Sequence, residues 1–588
     1  MILKNRALLE YERWLAEVPA DSPWRAGLEA LGADGAGRFD AFRCGLAFGT
    51  GGLRAEIGPG SNRMNHYVVG RATQGLANYL KKAYPGQSLL VCIAHDTRHC
   101  SAEFAAHAAC ALCAAGIRVK RFPQPRPTPM LSFAVREYKA QAGIVITASH
   151  NPKEYNGYKV YGETGGQLTD AAALAVLEEI DKLDLFEAAR ATEKMTQALA
   201  LQKGLLGDLG DEADELYYEK SSAFLPRRAF TRQNAAKLKL IYSPLHGSGL
   251  VPVTRLLKKL DYAQLRVVPE QEQPDGDFPT VAKPNPEERD TFLLAMELAK
   301  TVQPDVIFAT DPDADRLGVL AQNDRGEFEV LSGTQTGALL CDYLIQAYRE
   351  RPGGLPPNPA IVTTVVTGTL AERICKANGV AVKKVLTGFK YIGETMDAWQ
   401  ANGAHSFLFG FEESYGYLTG DVCRDKDAVI AAALVAEMAL YYKLEKNKTL
   451  YQALQELYQS YGPVCEALVN LDAKGADGQV FIAGLMKNIR ENYAAVLPGE
   501  TVLFLEDYLA GERRDLQTGV CSAIDLPRSD VVKLFFADGA WLVLRPSGTE
   551  PKIKLYLCTG DAFAPGESLD EARRRVEALA QKAKALLG

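Results

Sequence analysis

The sequence predicts an α/β protein in which three similar mixed α/β domains and a smaller C-terminal α+β domain surround one central cleft. Three observations carry that expectation. The chain has 588 residues, far more than one ordinary core holds and enough for roughly three to five domains. Its strand-like runs are apolar without alternation and are separated by helical stretches, the pattern of sheets covered on both faces. One grammar also recurs three times: an apolar strand leads into a small-residue loop and a helix, and a later apolar strand ends in a polar loop.

Met1 to Ala16 mixes Lys4, Arg6, Glu10, Glu12 and Arg13 among apolar residues and reads as an amphipathic helix, without the continuous apolar centre of a signal peptide. In the first domain, residues 1–205, Leu89–Ile93 precedes His95-Asp96-Thr97-Arg98, and Ile144–Ile146 precedes Thr147-Ala148-Ser149-His150-Asn151-Pro152. The second, residues 206–325, opens on a charged helical stretch from Asp208 to Lys220. There Leu238–Tyr242 leads to Ser243-Pro244-Leu245-His246-Gly247, and Val306–Ala309 to Asp311-Pro312-Asp313-Ala314-Asp315-Arg316. In the third, residues 326–455, Ala360–Val366 leads to Thr367-Gly368-Thr369, and Phe407–Phe409 to Gly410-Phe411-Glu412-Glu413-Ser414-Tyr415-Gly416. The fourth, residues 456–588, differs. Asp538-Gly539 is a hairpin signal between Val531–Phe536 and Trp541–Leu544. A strand Ile553–Leu557 follows, then a helix opened by a Ser568/Glu571 capping box. In open α/β sheets the polar loops at strand ends carry the ligand site.

Composition narrows the class of function. A formal net charge of -7 with no long basic block argues against a nucleic-acid binder. The most apolar helix, Ala428 to Ala436, is broken by Glu437 and is too short to span a bilayer, so a cytoplasmic protein without membrane partners is expected. Eleven cysteines lie mostly in apolar runs and read as reduced, buried thiols. His107, Cys110 and Cys113 share a helix but lack the further ligands of a zinc site.

Asp311, Asp313 and Asp315 alternate at the end of a buried strand, and in an extended loop residues two apart project to one side. Carboxylates that close repel one another unless a cation sits among them, and an oxygen-only set favours magnesium. Ser149 also follows an apolar strand and lacks the Gly-x-Ser-x-Gly elbow of a serine hydrolase. Asn156-Gly157-Tyr158-Lys159 adds a tight turn and a cation. A serine oxygen near a metal and a lysine can accept and return a phosphoryl group, because both cations neutralise the moving charge. Glu412, Glu413 and Ser414 offer acceptors between glycines. The two acids are adjacent and do not flank one glycosidic bond, so recognition of sugar hydroxyls is the better reading. In Arg545-Pro546-Ser547-Gly548-Thr549-Glu550-Pro551-Lys552, an arginine, two hydroxyls and backbone N–H groups form a concave anion site. Phe48-Gly49-Thr50-Gly51-Gly52-Leu53-Arg54 is a glycine-rich loop ending in a cation, read equally as a turn or an anion loop. Thr387-Gly388-Phe389-Lys390 places an ammonium in the third domain, where a solvated surface lysine is the plain alternative.

With these segments assembled, the chain resembles the α-D-phosphohexomutase superfamily, specifically its phosphoglucomutase branch, in order from Phe48 to Lys552. The resemblance implies four domains around one cleft and a phosphoserine at Ser149. It implies a magnesium ion held by Asp311, Asp313, Asp315 and an oxygen of that phosphoserine. Arg54, His150 and Lys159 would surround the transferring phosphate, with Lys159 a candidate general acid/base. Glu412 and Ser414 would hold sugar hydroxyls, helped by Lys390, Thr387, Gly388 and Arg316. Arg545, Ser547, Gly548 and Thr549 would grip the phosphate that is not reacting. The expected reaction interconverts glucose 1-phosphate and glucose 6-phosphate through glucose 1,6-bisphosphate, which also serves as activator. Small sugar phosphates are then the partners, and the protein a monomer or small homo-oligomer. The same loops suit a phosphopentomutase, a phosphomannomutase or a sugar-bisphosphate synthase. A metallophosphatase would want histidine ligands, and the seven histidines do not cluster with the aspartates. A non-catalytic binding protein would not need Ser149, the triad and the phosphate loop together.

Overall fold

The computed structural model describes residues 2–49, 52–472, 478–493, 497, 499–546, 552–560 and 568–585. Four sheets divide the described residues. The first is six-stranded, in the spatial order Gly52–Glu56, Tyr155–Gly162, Ala142–Ile146, Leu90–His95, Arg118–Arg121, Leu206–Asp208. Its two central strands are buried at every position, which is why they read as unbroken apolar runs. Tyr155–Gly162 runs antiparallel to Ala142–Ile146 and brings Lys159 back beside the loop that carries Ser149.

The second sheet has five strands, ordered Phe328–Leu331, Leu317–Gln322, Val306–Thr310, Lys239–Ser243, Gln264–Val267. Val306–Thr310 and Leu317–Gln322 form an antiparallel hairpin, with Thr310 opposite Leu317, and the three aspartates occupy its turn. The third sheet has four strands, ordered Ala381–Val385, Pro359–Thr364, Ser406–Glu412, Gly416–Thr419; its last two form a hairpin closed by Glu413-Ser414-Tyr415. The fourth is an antiparallel sheet of seven strands, from Glu466–Asp472 through Lys552–Cys558, Trp541–Pro546 and Val532–Phe536 to Cys521–Ala523, with helices Gly478–Glu491 and Leu569–Lys584. The capping box is present as read: Ser568 caps its helix and Glu571 returns the hydrogen bond. This is the expected class of three α/β domains and a C-terminal α+β domain. Two strands lie just past the expected divisions: Leu206–Asp208 joins the first sheet and Phe328–Leu331 the second.

Helix Ile2–Glu17 buries Ala7, Tyr11 and Trp14 against the first domain. Helix Ala428–Tyr441 is buried on all sides, Glu437 included. That carboxylate survives burial because Thr231 Oγ1, Tyr343 Oη and the Arg227 N–H all donate to it. No described helix is long and apolar enough to cross a membrane. Cys92, Cys110, Cys113, Cys341, Cys375, Cys423 and Cys558 are buried free thiols. Among the described residues, Asp311, Asp313 and Asp315 are the one group of acidic, histidine or cysteine side chains placed to hold a metal, so His107, Cys110 and Cys113 form no such site.

Candidate active site

Ser149 stands where the first and second domains meet. It takes a left-handed backbone conformation, φ 52°, and its N–H donates to Thr147 Oγ1 at 2.8 Å. Its Oγ donates to Asp311 Oδ2 at 2.6 Å, while His150 Nδ1 is 3.3 Å from the same oxygen. Ser149 and the acidic hairpin, far apart in sequence, are thus in direct contact.

The aspartates converge by a turn rather than by extended alternation. Ala314 adopts φ 44°, and Asp311 Oδ1 accepts from the N–H groups of Asp315 and Arg316 at 3.1 and 3.0 Å. One oxygen from each of the three carboxylates lies within 4.8 Å of the others, all buried. Burial and the neighbouring Asp313 and Asp315 push Asp311 well above the usual carboxylate range. Asp313 is the opposite: burial alone would raise it, but Lys159 Nζ at 2.9 Å and Thr128 Oγ1 at 2.9 Å hold it far below that range. Asp313 Oδ1 and Asp315 Oδ1 are buried without a hydrogen-bond partner. Hard oxygen donors left unsatisfied at such spacing fit a divalent cation, and the triad is suited to hold one.

Two ammonium groups flank the triad. Burial would lower Lys159, but Asp313 and Asp315, the latter at 3.6 Å, keep its pKa above the ordinary value. Lys426 Nζ lies 3.3 Å from Asp315 and 3.2 Å from Asp425, and these carboxylates, with Glu412, outweigh its burial and raise it too. His150 is held neutral, first by burial and then by the nearby Arg316 and Arg54. Arg54 Nη1 donates to Asn151 Oδ1 at 3.3 Å, at the rim of the Ser149 loop. Arg316 turns to Glu287.

The third-domain hairpin docks directly on the acidic one. Arg316 and Gly416 form a bridge, and the Leu317 N–H donates to Tyr415 O at 3.0 Å. Glu412 Oε1 accepts from the Gly388 N–H at 2.6 Å; Gly388 has φ 123°, a conformation that demands glycine. Thr387 and Ser414 are half-buried beside them. Burial raises the pKa of Glu412, against the pull of Lys426, the Gly388 N–H and Arg316. Lys390 is neither a solvated surface lysine nor a free cation over the site: it is buried and donates to Asp170 Oδ1 at 2.6 Å, tying the third domain to the first. Arg545 ends the strand Trp541–Pro546 opposite Lys554, so the fourth domain presents two adjacent cations. Burial lowers the pKa of Lys554, with Glu287 opposing and Arg316 and Arg545 reinforcing. Ser547, Gly548 and Thr549 lie outside the described residues, as do Thr50 and Gly51 of the amino-terminal loop.

Sequence reasoning missed Thr128, Asp425, Lys426, Glu287 and Lys554. Lys426 sits in Arg424-Asp425-Lys426-Asp427, a charged run that reads as surface and is buried at all four positions. The Thr367-Gly368-Thr369 loop, grouped with the polar strand-end loops, instead meets the C-terminal domain, where Thr369 Oγ1 donates to Gly560 O at 3.4 Å.

A serine in contact with a buried acidic hairpin, a carboxylate-bearing hairpin docked on it and a cationic strand end come together from four domains, an arrangement suited to phosphoryl transfer. Comparison with known proteins agrees. The chain matches the family descriptions "Phosphoglucomutase/phosphomannomutase, alpha/beta/alpha domain I", "domain II" and "domain III" over residues 45–187, 216–326 and 332–461, and the "C-terminal domain" of the same family over 487–560. A phosphoglucomutase of Staphylococcus haemolyticus is 37% identical over 519 residues, covering 88% of this chain and 90% of that one. One of Staphylococcus saprophyticus is 36% identical over 536 residues, covering 91% and 93%. The fold is shared with pp63/parafusin of Paramecium, at TM-score 0.63 and 17% identity, over 92% of this chain and 96% of that one. The chain belongs to the phosphoglucomutase/phosphomannomutase family. It is therefore a phosphohexomutase, an isomerase that works as an intramolecular phosphotransferase.

Proposed function

We propose that the chain is a phosphoglucomutase, interconverting glucose 1-phosphate and glucose 6-phosphate through a phosphoserine at Ser149. The observation that carries this is the contact of Ser149 Oγ with Asp311 at 2.6 Å, beside Lys159 and His150. Glucose is favoured over other sugars by the name and coverage of the staphylococcal relatives.

Asp311, Asp313 and Asp315 would hold magnesium; when bound, it neutralises charge on the phosphoryl group and on Ser149 Oγ. In the first half-reaction the bond from phosphorus to Ser149 Oγ breaks and one to a sugar hydroxyl forms; the hydroxyl gives up its proton and Oγ takes one. The second half-reaction runs the same exchange in reverse at the sugar's other phosphate: the bond from phosphorus to the sugar oxygen breaks, the bond to Ser149 Oγ forms, and the proton passes from Oγ to the sugar oxygen. Lys159, kept protonated by Asp313 and Asp315, is the candidate donor to Oγ and the general acid/base. Arg54 and the neutral imidazole of His150 hold oxygens of the moving phosphate. Glu412, Ser414, Thr387 and Gly388 hold sugar hydroxyls, with Lys390 and Arg316 at the edges. Arg545, Ser547, Gly548 and Thr549 grip the phosphate that is not reacting. Glucose 1,6-bisphosphate then turns end over end, and its other phosphate returns to Ser149.

The test has three arms. Mass spectrometry of active protein should place a phosphate on the peptide containing Ser149. Glucose 1,6-bisphosphate should restore activity to dephosphorylated protein. Ser149→Ala should be inactive with or without the bisphosphate; normal turnover by that variant would end the proposal. Turnover on mannose 1-phosphate or ribose 1-phosphate exceeding that on glucose 1-phosphate would keep the mechanism and change the sugar.

A further inference from the structure

Beneath Ser149 lies a buried cation that no step of the reaction uses. Arg98 follows the strand Leu90–His95 and is 3% exposed. Its Nη2 donates to Ser149 O at 2.6 Å and to Asn151 O; its Nη1 donates to Pro152 O at 2.7 Å and Tyr155 O at 3.2 Å. Four carbonyls of one loop thus converge on a single guanidinium, whose planar fork reaches them together; a lysine's one nitrogen cannot span the set. Its charge is balanced by Asp96, whose Oδ2 is 3.3 Å from Nε. Asp96 is itself fixed, accepting from the Arg98 N–H at 2.9 Å and Ser101 Oγ at 2.6 Å.

This arrangement accounts for the backbone of the nucleophile. A serine at φ 52° persists where its surroundings over-determine it. Here both sides of Ser149 are pinned, the N–H by Thr147 Oγ1 and the carbonyl by Arg98.

The other face of the guanidinium is covered by the second domain, which also carries the aspartate triad. The ring of Phe278, 2% exposed and itself at φ 45°, has its centroid 4.9 Å from the guanidinium carbon. Gly276 lets that segment press on the turn around Arg98: a Cβ there would stand 2.7 Å from His99 N. Asp277 accepts from Lys153 Nζ at 3.2 Å, closing the segment over the Ser149 loop.

We propose that Arg98 is a positioning residue for phosphoryl transfer: it fixes the Ser149 loop in the conformation that aims Oγ at the aspartate triad, and Phe278 locks that loop to the domain bearing the triad. The proposal rests on Ser149 being the phosphoryl carrier. The predicted signature is a loss in the chemical step with little loss in sugar binding, because the groups that hold the sugar lie on other loops.

Arg98→Lys keeps the charge and loses the fork. Its kcat should fall about a hundredfold, the cost of misplacing a reacting group by about 1 Å, with KM changed less than about threefold. The rate at which glucose 1,6-bisphosphate phosphorylates Ser149 should fall by the same factor as kcat. Phe278→Leu should lower kcat about tenfold in the native background and far less in Arg98→Lys, since the loop it steadies is already released. Wild-type kcat in Arg98→Lys, or a rise in KM alone, would overturn the positioning role; fully additive effects would overturn the coupling to Phe278. Should Arg98→Lys fail to fold, Phe278→Leu decides alone, and unchanged kcat there overturns the proposal. Wild-type protein lacking phosphate on Ser149 would instead refute the phosphoserine reading itself.

Discussion

Asp313 answers two demands with one carboxylate. One oxygen accepts from Lys159 and Thr128, each at 2.9 Å, and the other is buried without a partner. Asp313→Asn would keep the shape and remove the charge from both. Turnover should fall on the order of a thousandfold, the scale of several kcal/mol of lost charge stabilisation, and excess magnesium should not restore it. Lys159 would keep only Asp315 at 3.6 Å, and losing one partner of a buried pair costs about 3 kcal/mol, so melting should also move down. Turnover against magnesium concentration, together with a melting curve, measures both. Near-normal turnover under exhaustive chelation would remove the triad from the chemistry. The triad and Ser149 were legible because their chemistry is written in adjacent letters after an apolar strand. Thr128 and Arg98 were not, because each acts through a contact that exists only once distant segments fold together.

Elements were legible in proportion to their burial. Val306–Thr310, buried at every position, is legible but for its last residue and Ala142–Ile146 over its last three, whereas Cys521–Ala523, exposed at all three, leaves no apolar trace. Val532–Phe536 shows where the pattern misleads. Alternation puts Lys533 opposite the apolar face, on the side that reads as solvent. That side instead meets the third domain: Lys533 Nζ donates to Val365 O at 2.7 Å, 4.1 Å from the centre of the Trp541 ring. Burial, helped by Lys384, lowers its pKa from 10.5 to about 7. The sign of the consequence follows from proton counts. Between those two values the unfolded chain carries a proton that the folded chain has lost, so stability from this group rises with pH across the window and is flat below about 7. In Lys533→Met that contribution vanishes. The wild-type melting temperature, measured relative to the variant, should therefore climb between pH 7 and about 10, the span of the two pKa values. A constant difference across that range would mean that Lys533 stays charged in place.

At the scale of the whole molecule, the reaction requires one site to hold the same sugar in two opposite orientations. On the proposed assignment Glu412 and Ser414 would read hydroxyls from a hairpin fastened to the acidic loop by the Arg316–Gly416 bridge, so the sugar's body and the reacting phosphate would share one rigid frame. The phosphate at the far end would then fall to the C-terminal domain, where Arg545 and Lys554 stand side by side on neighbouring strands. That domain is joined to the third domain through Arg373, whose Nη2 donates to Gly560 O, and through Thr334, which donates to Glu466 at 3.0 Å. Glucose 1-phosphate and glucose 6-phosphate would each place their non-reacting phosphate at this end, one in each orientation. Arg545→Ala should therefore weaken both substrates alike. Losing one charge-assisted contact costs about 2 kcal/mol, so KM should rise about thirtyfold for each. Phosphorylation of Ser149 in the resting protein should be unaffected, because Arg545 lies on a strand of the fourth sheet and Ser149 on a loop of the first. Steady-state kinetics run in both directions decide the matter. A rise in KM for one substrate only would show that Arg545 serves a single orientation, and the shared clamp would have to be sought elsewhere in the C-terminal domain.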